Sequence, residues 1–304
     1  VADYTATNYL IPAIKRRLMV PTTQATFQAA DFLAVLNAEL QSEVVPLLMS
    51  VREEYFVAET DVDVTAGTAA YDIPERAIGG DLRDVLMVAS DGTTRNLVRL
   101  EPEAAVGWPA GDGTPAGFVL KDEQVVLYPA PSGTTEQLRL SYHRRPGVLV
   151  DVADVATVSS STATAVTAVA SAPASFTTSA PLDFIRGAPQ FRTLSAEVTP
   201  SAVSGTSITI TTPSGLAAGD YLALAGESPV AQVPLELLPV LVLRACIVIA
   251  TALGDREMAG MVSGELQAKQ QSALTLIANR VKGEQRKMPN GMRRWRGCVG
   301  GGWW

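Results

Sequence analysis

Residues 234–283 read PLELLPVLVLRACIVIATALGDREMAGMVSGELQAKQQSALTLIANRVKG. This stretch predicts two helices meeting at Gly254-Asp255. From Leu237 to Leu253 it is almost continuously apolar, with Arg244 its only charge. A helix apolar on nearly every side belongs in a core. Beyond Asp255 the pattern turns amphipathic. Met258, Met261, Val262, Leu266, Leu274, Ile277 and Val281 fall at the i, i+3, i+4 spacing of one face, and Glu265, Lys269 and Arg280 lie off it. Gly254 suits the left-handed position after a helix, and Asp255 suits the N-cap of the next. Two such helices need partners, and the other strong helical stretches stand at the opposite end of the chain. The chain therefore leaves its helical core, builds something else and returns.

The N-terminal partners are legible. Asn8–Met19 reads as a short helix with Leu10, Ile11, Ile14 and Leu18 on one side, ended by Pro21-Thr22-Thr23. Thr26 precedes a longer helix through Phe32, Leu36, Leu40 and Val44; Pro46 either kinks it or starts a second helix through Leu47 to Tyr55. At Phe56 the period changes to alternation. Val62–Thr65 and Ala70–Pro74 read as a hairpin turned at Ala66-Gly67-Thr68, and Val85–Val88 and Asn96–Leu100 as a second turned at Asp91-Gly92. Strands at Phe118–Leu120, Gln124–Tyr128 and Gln137–Tyr142 complete this block. From Asp151 to Val230 the composition shifts to Ala, Thr, Ser, Val, Gly and Pro. Clear strands at Ser207–Thr211 and Tyr221–Leu224 mark a small antiparallel insert with little burial per residue. The fold class expected is α+β: a discontinuous helical bundle of N- and C-terminal helices, an inserted antiparallel β region and an extended C-terminal arm. The boundaries are 1–57 for the N-terminal helices, 58–150 for a β platform, 151–231 for the insert, 232–283 for the C-terminal helices and 284–304 for the arm.

The charge is uneven. The chain carries a net −7, but between Arg280 and Arg296 stand seven basic residues and one acid, a local +6, so the remainder carries −13. An acidic body with a basic end suggests a docking arm. Arg, Trp and Met are favoured interface anchors, and they concentrate here: Arg286, Lys287, Met288, Met292, Arg293, Arg294, Trp295, Arg296, Trp303 and Trp304 are the candidate partner-binding residues. Gly300-Gly301-Gly302 lets the chain bend before the last two tryptophans. A glycine-rich arm of this kind is expected to order on docking. The Arg-Arg-Trp-Arg run also fits single-stranded nucleic acid, but an acidic body repels phosphates.

Catalytic signals are sparse. The sole histidine, His143 in SYHRRPG, has no serine or cysteine motif beside it. No HExxH, GxSxG, P-loop or dinucleotide fingerprint stands in its required context. Cys246 and Cys298 make neither a disulfide framework nor a zinc pattern. No catalytic residue, cofactor or metal is expected. An acid pair assembled from distant residues, as in glycosidases, stays open. Leu10–Met19 carries Lys15, Arg16 and Arg17, unlike a signal-peptide core. Leu237–Leu253 is the only membrane candidate, and Pro239, Arg244 and its length argue against a span.

Five segments carry a resemblance: FQAADFLAVLNAELQSEVVPLLMSVREEYFV (27–57), VDVTAGTAAYDIP (62–74), YHRRPGVLV (142–150), GDYLALAGESPVAQVP (219–234) and LELLPVLVLRACIVIATALGD (235–255). In this order they resemble the head-to-tail adaptor, or connector, proteins of short-tailed double-stranded DNA bacteriophages. The likeness is one of layout and local phrasing over most of residues 20–283. It implies a structural virion protein at the portal vertex: a ring of about twelve copies between portal protein and tail nozzle, assembled in the host cytoplasm. Such a ring extends the channel through which genomic DNA passes at ejection, and its C-terminal arm reaches along the portal. An acidic wall would avoid gripping the DNA. Two other readings remain open: a virion protein that binds or degrades carbohydrate through the insert, and a nucleic-acid binder acting through the basic tail.

Overall fold

The computed structural model describes residues 3–20, 27–105 and 111–278. The first helix starts earlier than expected. A π turn at Ala6–Leu10, whose cap Thr5 Oγ1 accepts a hydrogen bond from the Asn8 amide, runs into α1 (Ile11–Arg17). Helix α2 (Ala29–Glu39) opens with a capping box, in which the Asp31 carboxylate accepts from the Gln28 amide at 2.7 Å. Pro46 stands at the start of a second α-helical segment, as one of the two expectations has it, while the chain stays helical across the junction. A π turn at Leu40–Val44 joins α2 to α3 (Val45–Val51), and Pro46 sits in the first turn of α3. Proline lacks an amide hydrogen and its ring collides with the carbonyl four residues back, and the wider π turn makes room for it. A short α4 (Pro102–Ala105) interrupts the strands.

The C-terminal pair forms as the sequence predicts. Helix α5 spans Leu238–Ala252 and α6 spans Arg256–Ile277. Gly254 between them has φ +78°, a conformation costly for any residue with a Cβ. The Asp255 carboxylate accepts from the Met258 amide at 2.9 Å. Helix α5 buries Leu238, Leu241, Ala245, Cys246 and Ile249 and packs on α1, α2 and α6. Truncating one such leucine would cost about 2–5 kcal/mol. Its lone charge, Arg244, reaches Glu43 at 2.8 Å and Glu39 at 3.7 Å on the Ala29–Val51 helix. One expected position fails among the described residues, and Val281 lies outside them. Met261 is 61% exposed, whereas its neighbour Val262 is buried. Adjacent residues stand about 100° apart around a helix, and α6 buries only the narrow stripe facing its partner.

The β platform holds two four-stranded sheets. The first has the order β1 (Val57–Asp63), β10 (Gln137–Arg144), β3 (Ala77–Val88), β4 (Thr94–Asn96). The second has the order β2 (Ala70–Asp72), β8 (Gln124–Tyr128), β7 (Gly117–Lys121), β5 (Val98–Arg99). Val85, Met87, Leu138 and Leu140 from the first meet Tyr71, Phe118, Val125 and Leu127 from the second in one apolar core. The expected hairpin at 62–74 does not exist. Strand β1 pairs with β10 and β2 with β8, so the chain crosses from one sheet to the other between Asp63 and Ala70. A hairpin turned at Asp91-Gly92 does form, but its second strand is β4 at Thr94–Asn96, and Val98–Arg99 of the expected strand crosses to pair with β7 in the second sheet; β7–β8 is also a hairpin, turned by Asp122 and Glu123 at positive φ. A small pair, β6 (Asp112–Gly113) with β9 (Ala130–Pro131), lies beside the second sheet.

The insert is a seven-stranded antiparallel sheet of order β15 (Thr193–Val198), β14 (Leu182–Ile185), β18 (Tyr221–Leu224), β12 (Ala156–Thr162), β13 (Ala165–Ala168), β17 (Ser207–Thr209), β16 (Ala202–Ser204). It buries more than its composition suggested. Val158, Phe176, Leu182, Phe184, Ile208 and Leu222 form its own core. Ile185, Phe191 and Ala223 join the helical core instead, with Phe191 edge-on to Tyr4 at 5.7 Å. The parallel pair β11 (Val148–Leu149) and β19 (Glu227–Ser228) brings the two connections to the insert side by side. Two helices among the described residues, Ala29–Val51 and Leu235–Ala252, are long and apolar enough to cross a membrane, so Leu237–Leu253 is not the sole candidate. The Ala29–Val51 helix passes that test because it runs unbroken through Pro46. Both contribute to the core shared by N- and C-terminal helices.

Candidate functional site

The candidate arm residues, Arg286, Lys287, Met288, Met292, Arg293, Arg294, Trp295, Arg296, Trp303 and Trp304, all lie outside the described residues. The last described turn, at Leu276, Ile277 and Ala278, borders a cleft of about 800 Å³. The cleft lies where helices, platform and insert converge. Arg52 reaches it from the end of α3, Tyr55 from the 3-10 turn Glu53–Phe56 that replaces the expected helix there, Arg144 and Arg145 from the end of β10, and Arg192 from the turn before β15. Glu54 and Glu236 also line it.

The cations differ in their settings. Arg52 is 8% exposed, lies 3.5 Å from Glu54 and covers the Tyr55 ring at 5.3 Å. Arg144 is half-buried. Burial, and next the nearby Arg76 guanidinium, hold its pKa below the ordinary arginine value, though a guanidinium stays protonated at any working pH. Arg145 and Arg192 are exposed. Among the described residues, no carboxylate lies within ion-pairing distance of Arg144, Arg145 or Arg192.

Side-chain amides, one buried and two half-buried, brace the segments that carry these cations. Gln232, 5% exposed, accepts from the Gly147 amide at 2.8 Å and donates to Thr193 Oγ1 at 3.0 Å. It thereby ties the end of the Arg144-Arg145 segment to the residue after Arg192. Asn37 pairs with both backbone groups of Leu149, accepting from its amide at 2.7 Å and donating to its carbonyl at 3.0 Å. Gln41 Nε2 donates to the Pro146 carbonyl at 3.2 Å. A buried backbone polar group left unpaired is costly, so these amides fix where the platform leaves the helices.

The acids of the insert are engaged structurally. Asp183, fully buried, lies 2.5 Å from Arg76 of the platform and accepts from the amides of Glu197 and Gly226. Asp220 accepts from the amides of Gly187 and Ala217 and lies 3.5 Å from Arg186. Phe176, Phe184 and Phe191 are core side chains, whereas Tyr221 is half-buried against the helical core. His143 pairs with Val57 across the strands, and its Nε2 is buried without a hydrogen-bond partner. No group of three or more His, Cys, Asp and Glu able to hold a metal occurs among the described residues.

Sequence reasoning weighed the YHRRPG segment for catalysis and for resemblance, and it missed the cleft. The Arg-Arg pair was the available signal. Nothing local marked Arg192 as its neighbour, because some fifty residues of chain separate them and only the fold joins them.

Comparison with known proteins agrees with the layout. No curated protein sequence matches the chain. A family model, described as SU10 adaptor protein, matches residues 8–180, more than half of the chain. The match begins earlier than the resemblance drawn from the five segments and stops inside the insert. It takes in α1 to α3, the whole β platform and the first strands of the insert. The chain belongs to the SU10 adaptor protein family, whose members are phage structural proteins consistent with a head-to-tail adaptor role at the virion neck.

Proposed function

We propose that this protein is a head-to-tail adaptor whose copies form a ring between portal protein and tail nozzle, extending the DNA channel and anchoring the tail. The family match over residues 8–180 carries this reading. The charge distribution supports it: outside residues 280–296 the chain carries −13, and negative walls let DNA pass without counterion-releasing contacts. Cyclic symmetry suits a coupler seated on a ring-shaped vertex. In this account the helices and their shared core make the seat, the β regions face the tail, and residues 284–304 strap each copy to the portal.

The strap is tested by deletion. A chain lacking residues 284–304 should keep its circular-dichroism spectrum and melting midpoint and lose co-sedimentation with the portal protein. Unimpaired co-assembly of that truncation would refute the arm's role.

A further inference from the structure

We propose that the cleft at the meeting point of helices, platform and insert receives an acidic segment of a partner protein, whose carboxylates pair with Arg144, Arg145 and Arg192. This deepens the adaptor reading and rests on it only for the assumption that the partner is a virion protein.

Three observations lead there. First, these guanidiniums converge on one cleft of about 800 Å³ and have no described carboxylate within 4.0 Å, though Asp183 and Glu197 act on Arg144 from farther off, within a body whose net charge is strongly negative. Eight other arginines of the described residues each lie within 4.0 Å of a carboxylate; Arg16, Arg99 and Arg256 do not, but they lie apart, whereas Arg144, Arg145 and Arg192 line one cleft. Second, the spacing of the cations is set in advance. The buried Gln232 links Gly147 to Thr193 and so fixes the Arg144-Arg145 segment against the Arg192 turn. Braced backbone segments limit the chain ordering that binding costs, and each guanidinium can take a carboxylate with two parallel hydrogen bonds. Third, Arg145 also rims a second recess of about 580 Å³, walled by Val45, Pro46, Met49 and Ile78. An apolar side chain next to the acids would enter it. The site therefore selects a mixed acidic and apolar peptide over a bare anion.

Charge disfavours the nearest rival. Residues 280–296 of the chain carry +6, a poor match for three guanidiniums with no described carboxylate within 4.0 Å. Nucleic acid meets the right charge at the cleft and the wrong charge over the rest of the body. Glu54 and Glu236 at the margin further disfavour a dense polyanion and favour a segment with few, spaced acids.

The test uses the full chain and a short fluorescein-labelled peptide of glutamate and leucine, with fluorescence anisotropy as the readout. A peptide with lysine in place of glutamate and a single-stranded thymidine oligonucleotide serve as competitors. Binding of the acidic peptide should weaken at least about tenfold, or 1.4 kcal/mol, in the R144Q/R145Q/R192Q variant. It should weaken measurably in R145Q alone, which alters an exposed side chain and spares the fold. R99Q/R256Q, removing exposed cations elsewhere, should bind as the parent does. Equal binding by the parent and both cleft variants overturns the proposal. So does displacement by the oligonucleotide but not by unlabelled acidic peptide, which would assign the cleft to nucleic acid. Native mass spectra of the same preparations with portal protein separate the two levels. Rings that form while the peptide fails to bind sink the cleft alone, whereas absence of rings in the parent sinks the adaptor reading.

Discussion

Asp183 and Arg76 show how a single residue locks two regions together. The carboxylate is fully buried, the guanidinium nearly so, and the pair joins the insert to the platform. Removing one partner of a buried pair leaves the other charged and stranded. Asp183→Ala should therefore lower unfolding free energy by about 3–5 kcal/mol, read from urea denaturation. Arg139 and Asp61 also pair closely, at 2.7 Å, but on the outer face of β10 and β1. Hydrogen bonding to Arg139 holds the Asp61 carboxyl below its usual range. What that pair contributes is present above the ordinary carboxylate value and is lost as pH falls through the lowered one. Arg139→Ala should shift the urea midpoint far less, and equal effects would show that burial is not what matters. Cys246 offers a second check. Burial, opposed by Arg17 and reinforced by Glu265, pushes its thiol up to about 11. Iodoacetamide at mild alkaline pH should leave Cys246 unmodified in the folded chain and label it in urea, as peptide mass spectrometry would show. None of this was legible beforehand except the burial of Cys246. A buried Asp looks like any other Asp until its partner, distant in the chain, is placed.

At the scale of elements, local chemistry was readable and distant pairing was not. Gly254-Asp255 announced both helix ends because a left-handed residue and a capping carboxylate act on their immediate neighbours. Asp255→Ala should cost about 1 kcal/mol, with faster amide exchange over the first turn of α6 and little change in α5. An unchanged exchange pattern would mean that packing on α5, and not the cap, fixes that end. The 62–74 segment misled for the opposite reason. Alternation predicted strands at both ends correctly, and a turn lies between them. Yet β1 finds a seven-residue register with β10, while β2 finds β8. Val64 and Tyr71 still share the platform core, so the chain satisfies the same apolar pattern by crossing between sheets. Periodicity says which residues face inward and is silent on which strand lies alongside.

At the scale of the molecule, three apolar cores meet around a braced junction. One joins N- and C-terminal helices with parts of the insert, one fills the platform, and one fills the insert. The return of the chain to its helical core was legible, because neither pair of apolar helices can be covered without the other. The seating of the insert on that core through Ile185 and Phe191 was not, since its composition is poor in large side chains. Asn37, Gln41 and Gln232 then set how the β regions leave the helices. The most direct test is single-particle cryo-electron microscopy of the chain mixed with its portal protein. The account predicts a closed ring of copies coaxial with the portal, with acidic side chains lining the channel and residues 284–304 lying against the portal. Monomeric particles beside unoccupied portals would contradict it.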